Sequence, residues 1–183
     1  MRARVIFYVL TVGIATVLVT GVAAAGSIGA VASKQPSDRH NWMRYVNVRF
    51  QYAICYPQDL FVPQGEPANS DGQRFLSNKD SAELAVYGGN NALDQTLSER
   101  LSDTANRLAD SSGKVTYKVQ KANWFVLSGQ SGQAIFYAKM LFSHDQFKSF
   151  ELTYDRSAAA LYKPMVGRIG SCFTDLARKW NRI

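Results

Sequence analysis

From Val115 to Tyr154 the chain is almost all strand, and its connections are too short for successive strands to run parallel. Val115, Tyr117 and Val119 alternate with Thr116, Lys118 and Gln120, the two-residue period of a strand with one wet face. Trp124-Phe125-Val126-Leu127 is continuously apolar, as expected of a strand covered on both sides. Gly129-Gln130-Ser131-Gly132 and Ser143-His144-Asp145-Gln146 read as turns around a further strand at 134–142, and Phe147 to Tyr154 alternates again. Antiparallel neighbours are therefore the frame to which everything else must attach.

One helix interrupts the strands. Thr96-Leu97-Ser98-Glu99 is a capping box, in which the Thr96 hydroxyl accepts from the Glu99 N–H while the Glu99 carboxylate reaches back to the Thr96 N–H. Leu97, Leu101, Ala105 and Leu108 follow at helical spacing, and Ser111-Ser112-Gly113 ends the pattern, with Gly113 free to turn left-handed. Upstream, Phe50, Tyr52, Ile54 and Tyr56 alternate as far as Pro57, with Val46 and Val48 on a preceding partner strand. The stretch from Leu60 to Gly72 contains Pro63, Gly65, Pro67, Asn69 and Asp71 and reads as a loop. Arg74-Phe75-Leu76 and residues 83–87 form short strands around Asn78-Lys79-Asp80, and Gly88-Gly89-Asn90-Asn91 is expected to end that hairpin.

Downstream, Asp155-Arg156-Ser157 is placed to cap a helix-prone run at 158–162. Pro164 opens a second helical piece, with Met165, Ile169, Cys172 and Phe173 on one stripe. The expected class is α+β: a mainly antiparallel sheet of about seven strands with one inserted helix and a C-terminal helical region, packed as a two- or three-layer sandwich. Residues 42–183 form a single domain in this reading.

The N-terminus points to export. Arg2 and Arg4 precede an uncharged run that extends to Ser33. Its apolar part fades into Ala23-Ala24-Ala25 and Gly29-Ala30-Val31-Ala32, a positive region, a hydrophobic region and two small-residue cleavage sites. Residues 1–32 are expected to be a signal peptide ending at Ala25 or Ala32, or an uncleaved inner-membrane anchor. Either leaves the domain on the far side, because Arg2 and Arg4 hold the N-terminus in the cytoplasm. No Cys follows the apolar run to take a lipid. The polar residues 33–41 read as a linker. The expected location is the periplasm or envelope.

Lys and Arg number 21 against 14 Asp and Glu, a formal balance of +7 that loses two charges with Arg2 and Arg4. The positive groups are scattered, and are densest at Lys114, Lys118 and Lys121 and at Arg178, Lys179 and Arg182. Such a surface suits anionic head groups or acidic polymers, or serves solubility alone. No nucleic-acid motif accompanies it. Cys55 and Cys172 both follow the leader. In an oxidising compartment they form a bridge tying the two ends of the domain, or else they remain two buried thiols.

A catalytic constellation is not visible. His40 falls in the linker and His144 in a turn, without the clustered partners of a metal site. The Asp/Asn-rich turns lack the alternating oxygens of a calcium loop. Ser128-Gly129-Gln130-Ser131-Gly132 lacks the strand–Ser–helix context of a nucleophile elbow. No cofactor loop is present. A carboxylate pair made only by the fold stays open. Aromatic residues crowd the strands, either as core or as the lining of a groove. The candidates for a groove are Tyr52, Tyr56, Tyr87, Trp124 and Tyr137.

Two stretches carry a family resemblance. Phe50-x-Tyr52-x-Ile54-x-Tyr56-Pro57 resembles the opening strand of the PsbP/DcrB-like superfamily, with Gln51 where a Gly is common. Tyr162-x-Pro164-x-Val166-x-Arg168-Ile169-x-Ser171-x-Phe173 resembles its closing helix, with Cys172 inside the usual Ser–Phe pair. The chain is also similar to small exported proteobacterial proteins without an assigned function. The resemblance implies a non-enzymatic accessory or binding protein at a membrane surface and supplies no catalytic residue. The expected partner is an envelope protein or an anionic envelope component. The alternatives are an envelope hydrolase whose site is assembled only by the fold, and a carrier of a small apolar ligand or lipid.

Overall fold

The computed structural model describes residues 39–143 and 145–177. The leader at 1–32, most of the linker, His144 and the basic tail from Arg178 lie outside them. Among the described residues no helix is long and apolar enough to cross a membrane.

Two antiparallel sheets carry the fold. The smaller is three-stranded, β1 (Trp42–Asn47), β2 (Tyr52–Pro57) and β10 (Thr174–Asp175), with β2 in the middle. The larger is seven-stranded in the order β3 (Phe61–Pro63), β4 (Gly72–Ser77), β5 (Glu83–Asn90), β9 (Gln146–Asp155), β8 (Ala134–Ser143), β7 (Trp124–Ser131), β6 (Lys114–Lys121). Helix α1 (Leu97–Ala109) carries the chain from β5 to the far edge, and β6 to β9 return as a meander that closes on β5. After β9 come a 3-10 turn, the short α2 (Ala159–Tyr162), a second 3-10 turn containing Pro164, and α3 (Val166–Cys172).

Three layers result. On one face of the large sheet, Phe125, Leu127, Phe136, Ala138 and Met140 pack against Leu97 and Leu101 of α1. On the other, Leu84, Val86, Phe150 and Leu152 meet Tyr52 and Ile54 of the small sheet and Tyr162, Met165, Ile169 and Phe173 of the closing helices. The α+β expectation therefore holds, along with the inserted helix and its complete capping box at Thr96 and Glu99. Asp155 caps the closing region through the Ser157 N–H.

The large sheet contains six of the strands the sequence assigns to it but not the first two. The expected single sheet is two, because β1 and β2 pair with β10 and lie over the large sheet rather than in it. The expected loop at 60–72 contains β3, since Leu60 and Phe61 are buried and draw the backbone onto β4. Pro63 is tolerated there because β3 is an edge strand. The strand expected to start at Phe50 begins at Tyr52, and Val48 falls in the turn before it.

Gly113 does not supply the left-handed end of α1. Asp110 does, at φ 48°, its carboxylate accepting from the Ser112 N–H and from Ser131 Oγ. Gly113 is needed for closeness instead, because a Cβ there would stand 2.2 Å from the Gln130 carbonyl oxygen.

Gly88 and Gly89 do not end a hairpin but continue β5, opposite Lys148 and Phe147. The two glycines make room for rings on opposite faces. A Cβ on Gly88 would lie 2.6 Å from Phe50 Cβ, and one on Gly89 2.6 Å from Phe147 Cζ. Phe50 Cβ is fixed to its backbone, whereas the Phe147 ring tip is free to swing. Gly88→Ala is therefore expected to destabilise the domain by about 1–3 kcal/mol, and Gly89→Ala by about half that or less. Urea midpoints of the two variants check the order, and equal midpoints would contradict it.

Candidate binding grooves

Three polar or aromatic assemblies among the described residues bear on function. The first is buried. Lys148 on β9, Ser143 at the end of β8 and Asp175 on β10 meet between the two sheets. Lys148 Nζ donates to Asp175 Oδ2 at 3.1 Å and to Ser143 Oγ at 3.3 Å, and Ser143 Oγ donates to Asp175 Oδ2 at 2.5 Å. A serine beside a lysine resembles a nucleophile with its base. Here the lysine side chain is 1% exposed and the aspartate side chain 3% exposed. The serine proton is committed to the carboxylate, and no substrate reaches it. The cluster is a strut that fastens β10 to the large sheet.

The second assembly is a cleft of about 590 Å³ between α1 and strands β5, β8 and β9. Its floor is Tyr87, Met140 and Phe147, and its wall is one side of α1 (Arg100, Asp103, Thr104 and Arg107). Glu151 takes two bonds from Arg107, at 3.0 and 2.5 Å, and one from the Tyr87 hydroxyl at 2.5 Å. Burial, then the Glu151 charge, pushes the Tyr87 hydroxyl well above tyrosine's usual range. Hydrogen bonding to Glu151 raises the Arg107 guanidinium in turn. Arg100 lies with its guanidinium carbon 3.9 Å from the centre of the Phe147 ring.

The third is a groove of about 480 Å³ on the opposite face of the sheet, where β6, β7 and β8 extend beyond the small sheet. Ser128, Ile135, Tyr137 and Tyr154 form its floor, and Lys163, Val166 and Gly167 form its wall. Lys139 holds that wall by donating to the Gly170 carbonyl at 2.6 Å. Gly170 permits the approach, since a Cβ there would stand 3.3 Å from the Tyr137 hydroxyl. Burial raises the pKa of the Tyr137 and Tyr154 hydroxyls and lowers the pKa of the Lys139 ammonium. On the neighbouring edge strand β6, Tyr117 is 54% exposed.

The five aromatics suggested for one groove are dispersed. Tyr52 is wholly buried, its hydroxyl donating to the Asp71 carbonyl at 3.0 Å, and it fills the core instead of lining a groove. Tyr56 packs on Phe75 with ring centres 4.4 Å apart. Trp124 is half-buried at the start of β7 opposite Leu141. Tyr87 borders the cleft beside α1 and Tyr137 the groove on the opposite face. Cys55 and Cys172 are joined in a disulfide with Cα atoms 5.6 Å apart. His40, expected in the linker, is held at the domain edge by a 2.7 Å bond from Nδ1 to Asp59.

Arg100, Arg107 and Glu151 are not among the residues the sequence singles out. The readable signal was the seven-residue spacing of the two arginines beside the apolar stripe of α1, which puts both on one helical flank. Among the described residues no group of three His, Cys, Asp or Glu side chains is placed to hold a metal.

No protein-family model matches the chain, and no curated protein matches it by sequence. Its fold is similar to a solved one. The solution structure of cyanobacterial PsbP (CyanoP) from Synechocystis superposes with a TM-score of 0.55 at 16% identity, covering 82% of this chain and 98% of that one. The architecture is thus PsbP-like.

Proposed function

We propose that this chain is a non-catalytic accessory or binding protein that works outside the cytoplasm, and that it engages an envelope partner through the groove on the β6–β8 face. The observation that carries the reading is a contrast in access. The Ser143–Lys148–Asp175 cluster is sealed between two sheets, whereas the Tyr137 groove stays open and its wall is fixed by Lys139. A fixed, open, aromatic depression favours recognition without rearrangement. Lys163 on its rim suits a partner with acidic groups at its edge. Export rests on the leader, and a PsbP-like fold is compatible with an accessory role.

The test is site-specific photocrosslinking of the full-length protein in its own cell. A photoreactive amino acid in place of Tyr117 is expected to give one discrete adduct in the envelope fraction. The same group at Leu93, exposed but remote from the groove in sequence and lining, serves as the control. No adduct above that control overturns the groove, and full-length protein with its leader in the cytosol overturns the location.

A further inference from the structure

We infer that the cleft between α1 and the β5–β9 strands is a second, independent binding site, and that it takes an amphiphilic anion whose carboxylate or phosphate pairs with Arg100. The inference starts from an unbalanced charge. Arg107 has its counter-ion in Glu151. Among the described residues Arg100 has none within ion-pair distance. The nearest acid in sequence on its flank, Asp103, accepts instead from Gln95 Nε2 at 2.6 Å.

The Arg100 guanidinium is held in place without being neutralised. Its Nε and Nη2 donate to Asn91 Oδ1 at 3.3 and 3.0 Å, and its plane rests over Phe147. Asn91 is itself fixed: it is buried, its Nδ2 donates to the Gln95 carbonyl at 2.9 Å, and its N–H donates to the Asp145 carbonyl at 2.7 Å. A guanidinium carries five N–H donors in a fixed fork. Asn91 occupies one edge of that fork and leaves the Nη1 edge for a ligand. A planar fork set on an aromatic ring matches a carboxylate or phosphate in a two-bond geometry.

Burial disfavours the charged form of Arg100, and a bound anion offsets that cost. The floor supplies the other half of the specificity. Met140 and Phe147 are apolar, and the cleft volume lies within the range of small-molecule sites. A bare inorganic ion would leave the partly exposed Phe147 ring uncovered, so the preferred ligand carries a short apolar body.

The measurement is two-dimensional NMR of the full-length protein, titrated with octanoate, octyl phosphate, inorganic phosphate and vesicles containing phosphatidylglycerol. Octanoate or octyl phosphate is expected to shift the Arg100 Nε–H together with the Thr104 and Phe147 amides, and inorganic phosphate to do so at least about tenfold more weakly. If only the vesicles produce these shifts, the anion is a lipid head group; if the soluble amphiphiles do, it is a free one. Arg100→Gln is expected to weaken binding at least about tenfold, with Arg100→Lys intermediate because it keeps the charge but loses the fork. Absence of cleft shifts with every probe on the wild-type protein overturns the site, whatever the variants do. So does unchanged affinity in a folded Arg100→Gln protein. The Tyr117 crosslink does not depend on this result.

Discussion

Asp175→Asn is expected to destabilise the domain by about 3–5 kcal/mol, more than any other single polar substitution in it. The reason lies in what remains behind. Lys148 is as buried as Phe150, and its ammonium faces only the Ser143 hydroxyl and a neutral amide oxygen once the carboxylate charge is gone. A cation enclosed in this way has lost its water and its counter-ion together. Asparagine fills the same space, so a cavity does not explain the loss. For a domain of about 150 residues, the melting midpoint is expected to fall by roughly 10 °C or more.

Two further variants separate the charge from the packing. Lys148→Met paired with Asp175→Leu removes both ions and is expected to recover most of the lost stability, since an apolar pair of similar size replaces them. Lys148→Met alone removes the ammonium from a buried carboxylate that still accepts from the Ser143 hydroxyl and the Ala177 N–H, and is expected to cost less than Asp175→Asn. A second readout is local. The Leu176 N–H donates to the Gln51 carbonyl at 2.7 Å as β10 closes on the small sheet. Its hydrogen exchange is expected to accelerate in Asp175→Asn before the protein unfolds globally. A cost below about 1 kcal/mol would mean that the cluster is not the strut described here.

This cluster also marks the limit of what the sequence reveals. The continuously apolar run of β7, the alternation of β9, the capping box of α1 and the stripe Met165, Ile169, Phe173 are local patterns, and each is where it was expected. Lys148 breaks the apolar alternation Phe150, Leu152, Tyr154 on one face of β9 and would ordinarily be read as a wet position. Its partner is 27 residues away on a two-residue strand that no periodicity announces. Tyr52 fails in the same way. Period two shows that it shares a face with Ile54, and says nothing about whether a second sheet covers that face. Gly88 and Gly89 read as a turn because glycine in a strand is costly, but Phe50 and Phe147 claim the vacated space from opposite sides. Contacts made between layers decide these positions. The Arg100 cleft belongs to the same class, since Asn91, Phe147 and α1 converge only when β5 and β9 pair.

Removal of the disulfide is the other large effect, and it is expected to act through the opposite state. Cys55 lies in the middle strand of the small sheet and Cys172 is the last residue of α3, 117 positions later. Cross-linking positions so far apart restricts the unfolded chain far more than the folded one, whose Cα atoms are already in contact through β2, β10 and α3. In the chain-entropy description a loop of this length is worth up to about 4–5 kcal/mol. The Cys55→Ala/Cys172→Ala protein is therefore expected to lose about 2–5 kcal/mol. Maleimide labelling of unfolded, unreduced wild-type protein is expected to find no free thiol, and full labelling of both cysteines would dispose of the bridge. The slope of stability against urea then distinguishes the two large effects. Freeing the chain ends expands the unfolded state and exposes more surface, so the slope is expected to rise in the cysteine variant. Asp175→Asn changes the folded state alone, and its slope is expected to match the wild type while its midpoint falls. A cysteine variant with an unchanged slope would place the bridge's contribution in the folded structure, with β2 and α3 held together by the bond itself.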